Sequence, residues 1–351
     1  MQQFLTFNPR LWEFISINPF DFGFNNYVPA TLVRREFENL ISVLKENGDV
    51  IDLCNIVDND KLLDIIYDTI SVDVENSSCK NNLKKNLVNN DKEELCKIFI
   101  LNPSIILNEE GKVSKNRILV HNMRAELLWL HKYIMYAKNK LTISYPSTFS
   151  DKVTAKFLRN ALEKFSKEII LVNYPPALLN LDDVTILGDQ MLLAQISSST
   201  NADGFLTLFS LNFPQIVEVF SDFSGDEKPL SSILRLVSQD YVLTNLNISE
   251  KIKLNIYEME REKYILKGKT SLREFLRKVN LKIIDVSVQD INKGLLSFLE
   301  VNDKRLLVKD LKDDGSHEIF KNLGYEIVKI QMDNLAPDHR GPNNLIVKIT
   351  E

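Results

Sequence analysis

The chain has 351 residues, 44% hydrophobic and 26% charged, which places it among ordinary globular proteins able to bury a sizeable core. Its formal net charge is −5, with Lys and Arg spread among Asp and Glu, which excludes the basic footprint of a nucleic-acid binder. No window supplies the roughly 18 uncharged apolar residues of a membrane span, and the opening MQQFLTFNPRLWEF lacks a basic segment leading into an apolar one, so the expected setting is cytoplasmic. Cys54, Cys79 and Cys96 lack the paired spacing of a zinc site and read as structural or surface thiols. Neither a metal nor a cofactor is expected.

The first 27 residues are dense in Phe and Trp. They read as a buried strand, placed in LWEFISI, and a loop; exposure of part of them would instead make an interaction patch. RREFENLISVLKENG follows as a helix, with Phe37, Leu40, Ile41 and Leu44 on one stripe and Gly48 ending it before the strand DVIDL. Residues 55–98 are polar with helical pieces, DKLLDIIYDTI and KEELCKIF, and predict a small insert of two to four helices.

Beyond the insert one pattern recurs, an apolar hairpin, then a helix, then an alternating strand. SIIL-NEEGKVSKN-RILV precedes AKFLRNALEKFSK and EIILVNY; VTIL-GDQ-MLLAQI precedes ADGFLTLFSLNF and PQIVEVFS. SSILRL-VSQD-YVLTNL precedes SLREFLRKVN and LKIIDVS, with residues 247–269 between them open to a hairpin, a helix or both. LLSFLEV-NDK-RLLVKDL precedes SHEIFKNLG and YEIVKIQ, and LIVKIT closes the chain. The pattern predicts an α/β fold of five ββαβ modules arranged as a ring. It forms a single domain: residues 1–54 make the first module, 55–98 the helical insert and 99–351 the other four modules.

That plan comes with Asn122-Met123-Arg124 after RILV, the second strand of its hairpin, Asp183 at the head of LDDVTILGDQMLLAQISSSTNADG, and RGPNN before the last strand. Together these resemble the arginine deiminase family of the guanidine-modifying, amidinotransferase-like (pentein) superfamily, and imply a pseudo-fivefold α/β propeller. The resemblance also implies a thiol nucleophile, a histidine proton carrier and carboxylates that hold a guanidinium. Here the family's Gly-Gly-Pro-Arg-Cys reads Arg340-Gly341-Pro342-Asn343-Asn344, so Asn344 stands for the cysteine. His-Leu-Asp-Thr reads Pro229-Leu230-Ser231-Ser232, placing Pro229 for the histidine and Ser231 for a carboxylate. Phe-Thr-Arg-Asp aligns with Leu107-Asn108-Glu109-Glu110, and Glu-Gly-Gly-Asp with Asn180-Leu181-Asp182-Asp183, so Glu110 and Asn180 take the other two carboxylate positions. A family member with all four motifs altered is expected to be a pseudoenzyme acting as a binding, regulatory or scaffolding protein. The alternative is an enzyme refitted for a small amine, amide or guanidine.

Glu109, Glu110, Asp182, Asp183 and Arg340 are the candidate ligand-binding residues, for a small cation at the ring's axis. The competing expectation, favoured for the acids, is that they are solvated turn residues. His121, His131, His317 and His339 have no partner spacing and read as surface or capping groups, while Ser231, Ser232 and Ser197 to Thr200 read as turn and N-cap residues. An unknown protein partner, a second copy or an active relative remain the expected macromolecular contacts.

Overall fold

The protein was described from a computed structural model covering residues 2–69, 85–107, 113–120, 123–146, 152–165, 167–173, 175–220, 228–312 and 315–350. Five three-stranded units recur, each with a central strand antiparallel to one neighbour and parallel to the other. In the first, Gln2–Thr6 lies antiparallel to Val347–Thr350 and parallel to Asp49–Asp52, so the two ends of the chain share one sheet. In the second, Lys140–Ile143 lies between Ile134–Ala137 and Glu168–Leu171. The third places Met191–Gln195 between Val184–Leu187 and Gln215–Phe220. The fourth places Tyr241–Thr244 between Leu234–Leu236 and Lys282–Asp285, and the fifth places Arg305–Lys309 between Leu299–Asn302 and Glu326–Ile330.

Each parallel step needs a crossover, and the periodic segments supply it. Helix Ala30–Lys45 buries Val33, Phe37, Leu40 and Leu44 as its apolar stripe requires. Gly48 then brings the chain so close to the first strand that a Cβ would meet the Gln2 carbonyl oxygen at 2.6 Å. Only glycine allows that approach. The same helix carries Glu36, 1% exposed, whose carboxylate accepts from the Asn334 amide at 2.9 Å, the Leu335 amide at 2.7 Å and Asn334 Nδ2 at 2.8 Å. This pins the first crossover to the loop that leads to Asn344. Crossovers in the other units come from helices Lys152–Leu162, Ala202–Thr207, Leu272–Lys278 and Glu318–Asn322.

Segment 247–269, which sequence left open between hairpin and helix, includes most of the hairpin Lys253–Glu260 and Lys263–Ser271. Its turn residues Arg261 and Glu262 have φ of 49° and 68°, as a tight two-residue turn demands. The hairpin pairs with Gln215–Phe220, widening the third sheet to five strands. Helices Leu53–Ile56, Asn59–Thr69 and Lys92–Leu101 lie between the first two units, capped where described by Asp52 on the Cys54 amide and Asp91 on the Glu94 amide. Cys54 and Cys96 are buried and joined as a disulfide between two of these helices, so the expectation of free thiols is corrected at both; Cys79 lies outside the described residues.

Two further expectations are corrected. LWEFISI is not the opening strand: Trp12–Ser16 is a 3-10 helix whose Trp12 and Ile15, three apart, are buried, and the strand is the preceding Gln2–Thr6. The run SIIL…RILV is not the hairpin of the second unit either. Pro103–Leu107 and Val113–Val120 form a separate two-stranded sheet, and the unit's own hairpin is Ile134–Ala137 with Lys140–Ile143. Its turn Lys138-Asn139, with φ of 51° and 61°, is the tight two-residue kind. Alternation identifies a strand but not the sheet it joins. Among the described residues no helix is long and apolar enough to cross a membrane.

Candidate functional site

Short turns lead into the first strands, and three of the four altered motifs, those of Asn180, Pro229 and Asn344, fall on them. Asn180 caps the 3-10 turn Leu181–Asp183 by accepting from the Asp182 amide at 3.0 Å, just before Val184–Leu187. Pro229 heads the helical turn Leu230–Ile233 before Leu234–Leu236, with Ser231 and Ser232 buried and the Ser232 hydroxyl bonded to the Pro229 carbonyl at 2.8 Å. Gly341 precedes the turn Pro342–Leu345 before the last strand, and its amide donates to Asn344 Oδ1 at 3.0 Å.

Asn344 and Asp182, 162 positions apart, meet where these turns converge: Asn344 Nδ2 donates to Asp182 Oδ1 at 3.2 Å. The same Asp182 oxygen lies 3.0 Å from His131 Nδ1. Burial works to raise the Asp182 carboxyl, but the His131 hydrogen bond and the charges of His131, Lys132 and His339 outweigh it, leaving the group below its usual value. Asp183 is equally buried and accepts from Ser197 Oγ and Thr200 Oγ1, both at 2.7 Å. Ser197 in turn accepts from the amides of Ser199 and Thr200, so its hydroxyl is fixed in a turn. Asp182 and Asp183 are therefore internally bonded acids, not the solvated turn residues expected.

Arg340 is also held within the chain. Its guanidinium engages both oxygens of Asp338, the nearer at 2.7 Å, donates to the Gly23 carbonyl at 2.8 Å and lies 4.0 Å above the Trp129 ring. Against burial, the paired Arg340 draws the Asp338 carboxyl far below the carboxylate range. Trp129 donates to the Phe22 carbonyl at 2.7 Å, and Gly23 adopts φ 75° with no room for a Cβ beside the indole.

Around these turns lies a cavity of about 400 Å³ whose wall includes Asn180, Asp182, Asp183, Lys132, Lys228, Pro229 and Arg340. Pro229 therefore borders an open space and does not plug it, while Leu181 is wholly buried. A second cavity of about 410 Å³ takes Met135, Thr185, Arg235, Glu300 and Lys348, one residue from the first strand of each of the five units, together with His131 and Asn343. His131 and Asp182 border different cavities, so their bond lies between the two.

Glu109 and Glu110 lie outside the described residues, as does His121. Structurally, the turn entering the second unit is Leu130–Lys132, not the Glu109-Glu110 turn, because Ile134–Ala137 is that unit's first strand. His131, read from sequence as a surface or capping group, is brought to the site by this turn. Sequence spacing carried no signal for it, since its partner is 51 residues away. Arg124 of the Asn-Met-Arg tripeptide is buried, bonded to the Phe99 carbonyl at 2.8 Å and 4.9 Å from its ring, anchoring helix Lys92–Leu101. His317 is buried on the Lys309 carbonyl, and burial lowers the His339 imidazole. Among the described residues no group of His, Cys, Asp and Glu is arranged to hold a metal ion.

No protein-family model and no curated protein matches the sequence. Solved structures do. The whole chain overlays AgrE, in its ternary complex with ornithine and NAD+, with TM-score 0.62 at 9% identity, and spans 39% of that chain. It also overlays the N-terminal domain of ArgZ, an arginine dihydrolase from the ornithine-ammonia cycle in Cyanobacteria, as a Cys-to-Ser mutant bound to substrate. The TM-score there is 0.59 at 9% identity, and 99% of that domain is covered. The chain thus spans about two-fifths of the AgrE chain. At such identities the likeness establishes the fold.

Proposed function

We propose that this chain, which has the pentein fold, is a non-catalytic member of that group whose five units close around an axis and which works by binding. The observation that carries the reading is Asn344. At the place the motif gives to a thiol stands a carboxamide, which has no ionisable nucleophile, with its oxygen on the Gly341 amide and its nitrogen on Asp182. The neighbouring positions agree. Pro229 cannot carry a proton, Asn180 serves as a helix cap, and Asp182, Asp183 and Arg340 are bonded inside the chain. Ring closure is supported by the five first strands all lending residues to a single cavity.

A second reading has one observation in its favour. His131 is held by a buried carboxylate beside a cavity, an arrangement that in enzymes orients a general base. An assay separates the two. Incubation with L-arginine should give neither citrulline nor ornithine and ammonia above a heat-killed control, and turnover abolished by His131→Ala or Asp182→Asn would establish the enzymatic reading instead. Co-purification of one stoichiometric partner or small molecule supports the binding reading.

A further inference from the structure

The acids around Asn344 are bonded within the chain, whereas the cavity lined by the first strands is bordered by an amide side chain with no hydrogen bond and a guanidinium with a single long one. Asn343, 2% exposed, borders that cavity with neither Nδ2 nor Oδ1 hydrogen-bonded. Arg235, on the same wall, makes one long 3.4 Å contact to the Phe298 carbonyl and sits 5.3 Å from that ring. Among the described residues no carboxylate reaches ion-pairing distance of its guanidinium, a group with five donors in a planar fork. Buried amides are nearly always satisfied, and a buried unpaired charge is costly. Asn343 carries the first cost in full and Arg235, half-buried without an ionic partner, a part of the second; bordering one cavity, the two call for a complementary ligand.

The chemistry of that ligand can be read from the donors and acceptors. A planar guanidinium beside an amide N–H matches a carboxylate, which accepts from both. Asn343 Oδ1 needs the opposite, a donor. Glu300, projecting into the cavity from the adjacent first strand, offers a second acceptor; burial holds its carboxyl above the usual value despite Lys348 and Arg235 nearby. Lys348 also faces the cavity, with its ammonium on the Glu300 backbone carbonyl at 3.0 Å, and Asp189 borders the space with exposed side chain. Burial lowers the Arg235 guanidinium to about 10, so it stays charged at neutral pH.

We propose that the cavity walled by Arg235, Asn343 and Glu300 binds a small carboxylate that also carries a hydrogen-bond donor, an amino or hydroxy acid. The carboxylate sits on Arg235 and Asn343 Nδ2, and the donor turns toward Asn343 Oδ1 and Glu300. Thr185 contributes a hydroxyl to the same wall, while Met135 and the aliphatic strand residues limit size. The site is distinct from the Asn344 cavity and does not depend on whether that cavity is catalytic.

Titration calorimetry of the purified full chain with L-malate, L-aspartate and succinate tests it. Malate and aspartate should bind, their relative affinities telling hydroxyl from ammonium, and succinate, with no donor, should bind at least tenfold more weakly. Arg235→Met should abolish binding, with the melting curve showing that the variant is folded; should it not fold, Asn343→Leu, expected to weaken binding at least tenfold, takes its place. No heat with any of the three acids, succinate equal to malate, or binding unchanged in a folded Arg235→Met or Asn343→Leu variant would overturn the proposal. The arginine assay above can fail without affecting this outcome, and the reverse also holds.

Discussion

Two cavities, built from the same repeated turns and strands, differ in how their polar groups are satisfied. Around the Asn344 cavity the acids are bonded within the chain: Asp182 to His131 and Asn344, Asp183 to Ser197 and Thr200, Asp338 to Arg340. At the cavity lined by the first strands, Arg235 has no carboxylate partner among the described residues and the Asn343 side chain has no hydrogen bond. A closed polar network rigidifies, while an open one costs stability unless something outside the chain completes it. The contrast separates a cavity whose acids are held within the chain from one whose polar groups are chemically unfinished.

The largest expected effect is on the closed side. Asp182→Ala removes the carboxylate shared by His131 and Asn344, leaving a buried carboxamide and an imidazole without it, and should cost about 3 kcal/mol in urea unfolding. A loss within experimental error would mean the network is not structural. The pH dependence follows from the same groups. The Asp182 and Asp338 carboxyls are both depressed in the folded chain, so the unfolded chain binds more protons as pH falls. Their stabilisation is complete above the unfolded carboxyl value of about 4 and is lost as pH drops below it toward the folded values. Urea midpoints from pH 6 to pH 3 should fall, and fall less steeply in Asp182→Asn.

Next in size is Asn344→Cys, which loses the bonds to Gly341 and Asp182 and should cost roughly 1 to 2 kcal/mol. It should not create arginine hydrolysis. The new thiol would lie beside the charged Asp182, which pushes its pKa above the usual value near 8.5, and His131 Nδ1 is already engaged by that same carboxylate. Release of citrulline, ornithine or ammonia by this variant above the heat-killed control would show that only the nucleophile was missing.

The repeat was legible because helices such as Ala30–Lys45 keep a strict apolar stripe and end at glycine before a short strand. Gln2–Thr6 was missed since Phe4, Leu5 and Thr6 are all buried, so the strand shows no alternation. Assigning SIIL…RILV to the second unit failed because an apolar run on either side of a polar turn marks a hairpin without saying which sheet it joins, and IMYA-KN-KLTI makes the pairing instead. The substitutions at Asn180, Pro229 and Asn344 were visible as motif losses, yet their consequence was not. Nothing in one sequence shows that Asp182 is buried against a histidine 51 residues away. Arg235 was equally hidden, since a basic residue between leucines in a strand ordinarily faces solvent, and here it borders a cavity lined by residues of five strands.

The smallest expected effect is the one that most sharpens the comparison. Removing one member of a satisfied buried pair is strongly destabilising, but removing a half-buried charge without an ionic partner, such as Arg235, also removes its part of the desolvation penalty. Arg235→Met keeps much of the side-chain length and gives up a long contact to a backbone carbonyl and the guanidinium's 5.3 Å contact with the Phe298 ring, for which its thioether is a partial substitute. Without added ligand its unfolding free energy should therefore differ from the parent by less than about 1 kcal/mol, or exceed it. Unfolding in dialysed, carboxylate-free buffer measures this directly. A loss as large as that of Asp182→Ala would mean that Arg235 is as firmly partnered as the acids of the Asn344 cavity, and the distinction between the two cavities would disappear.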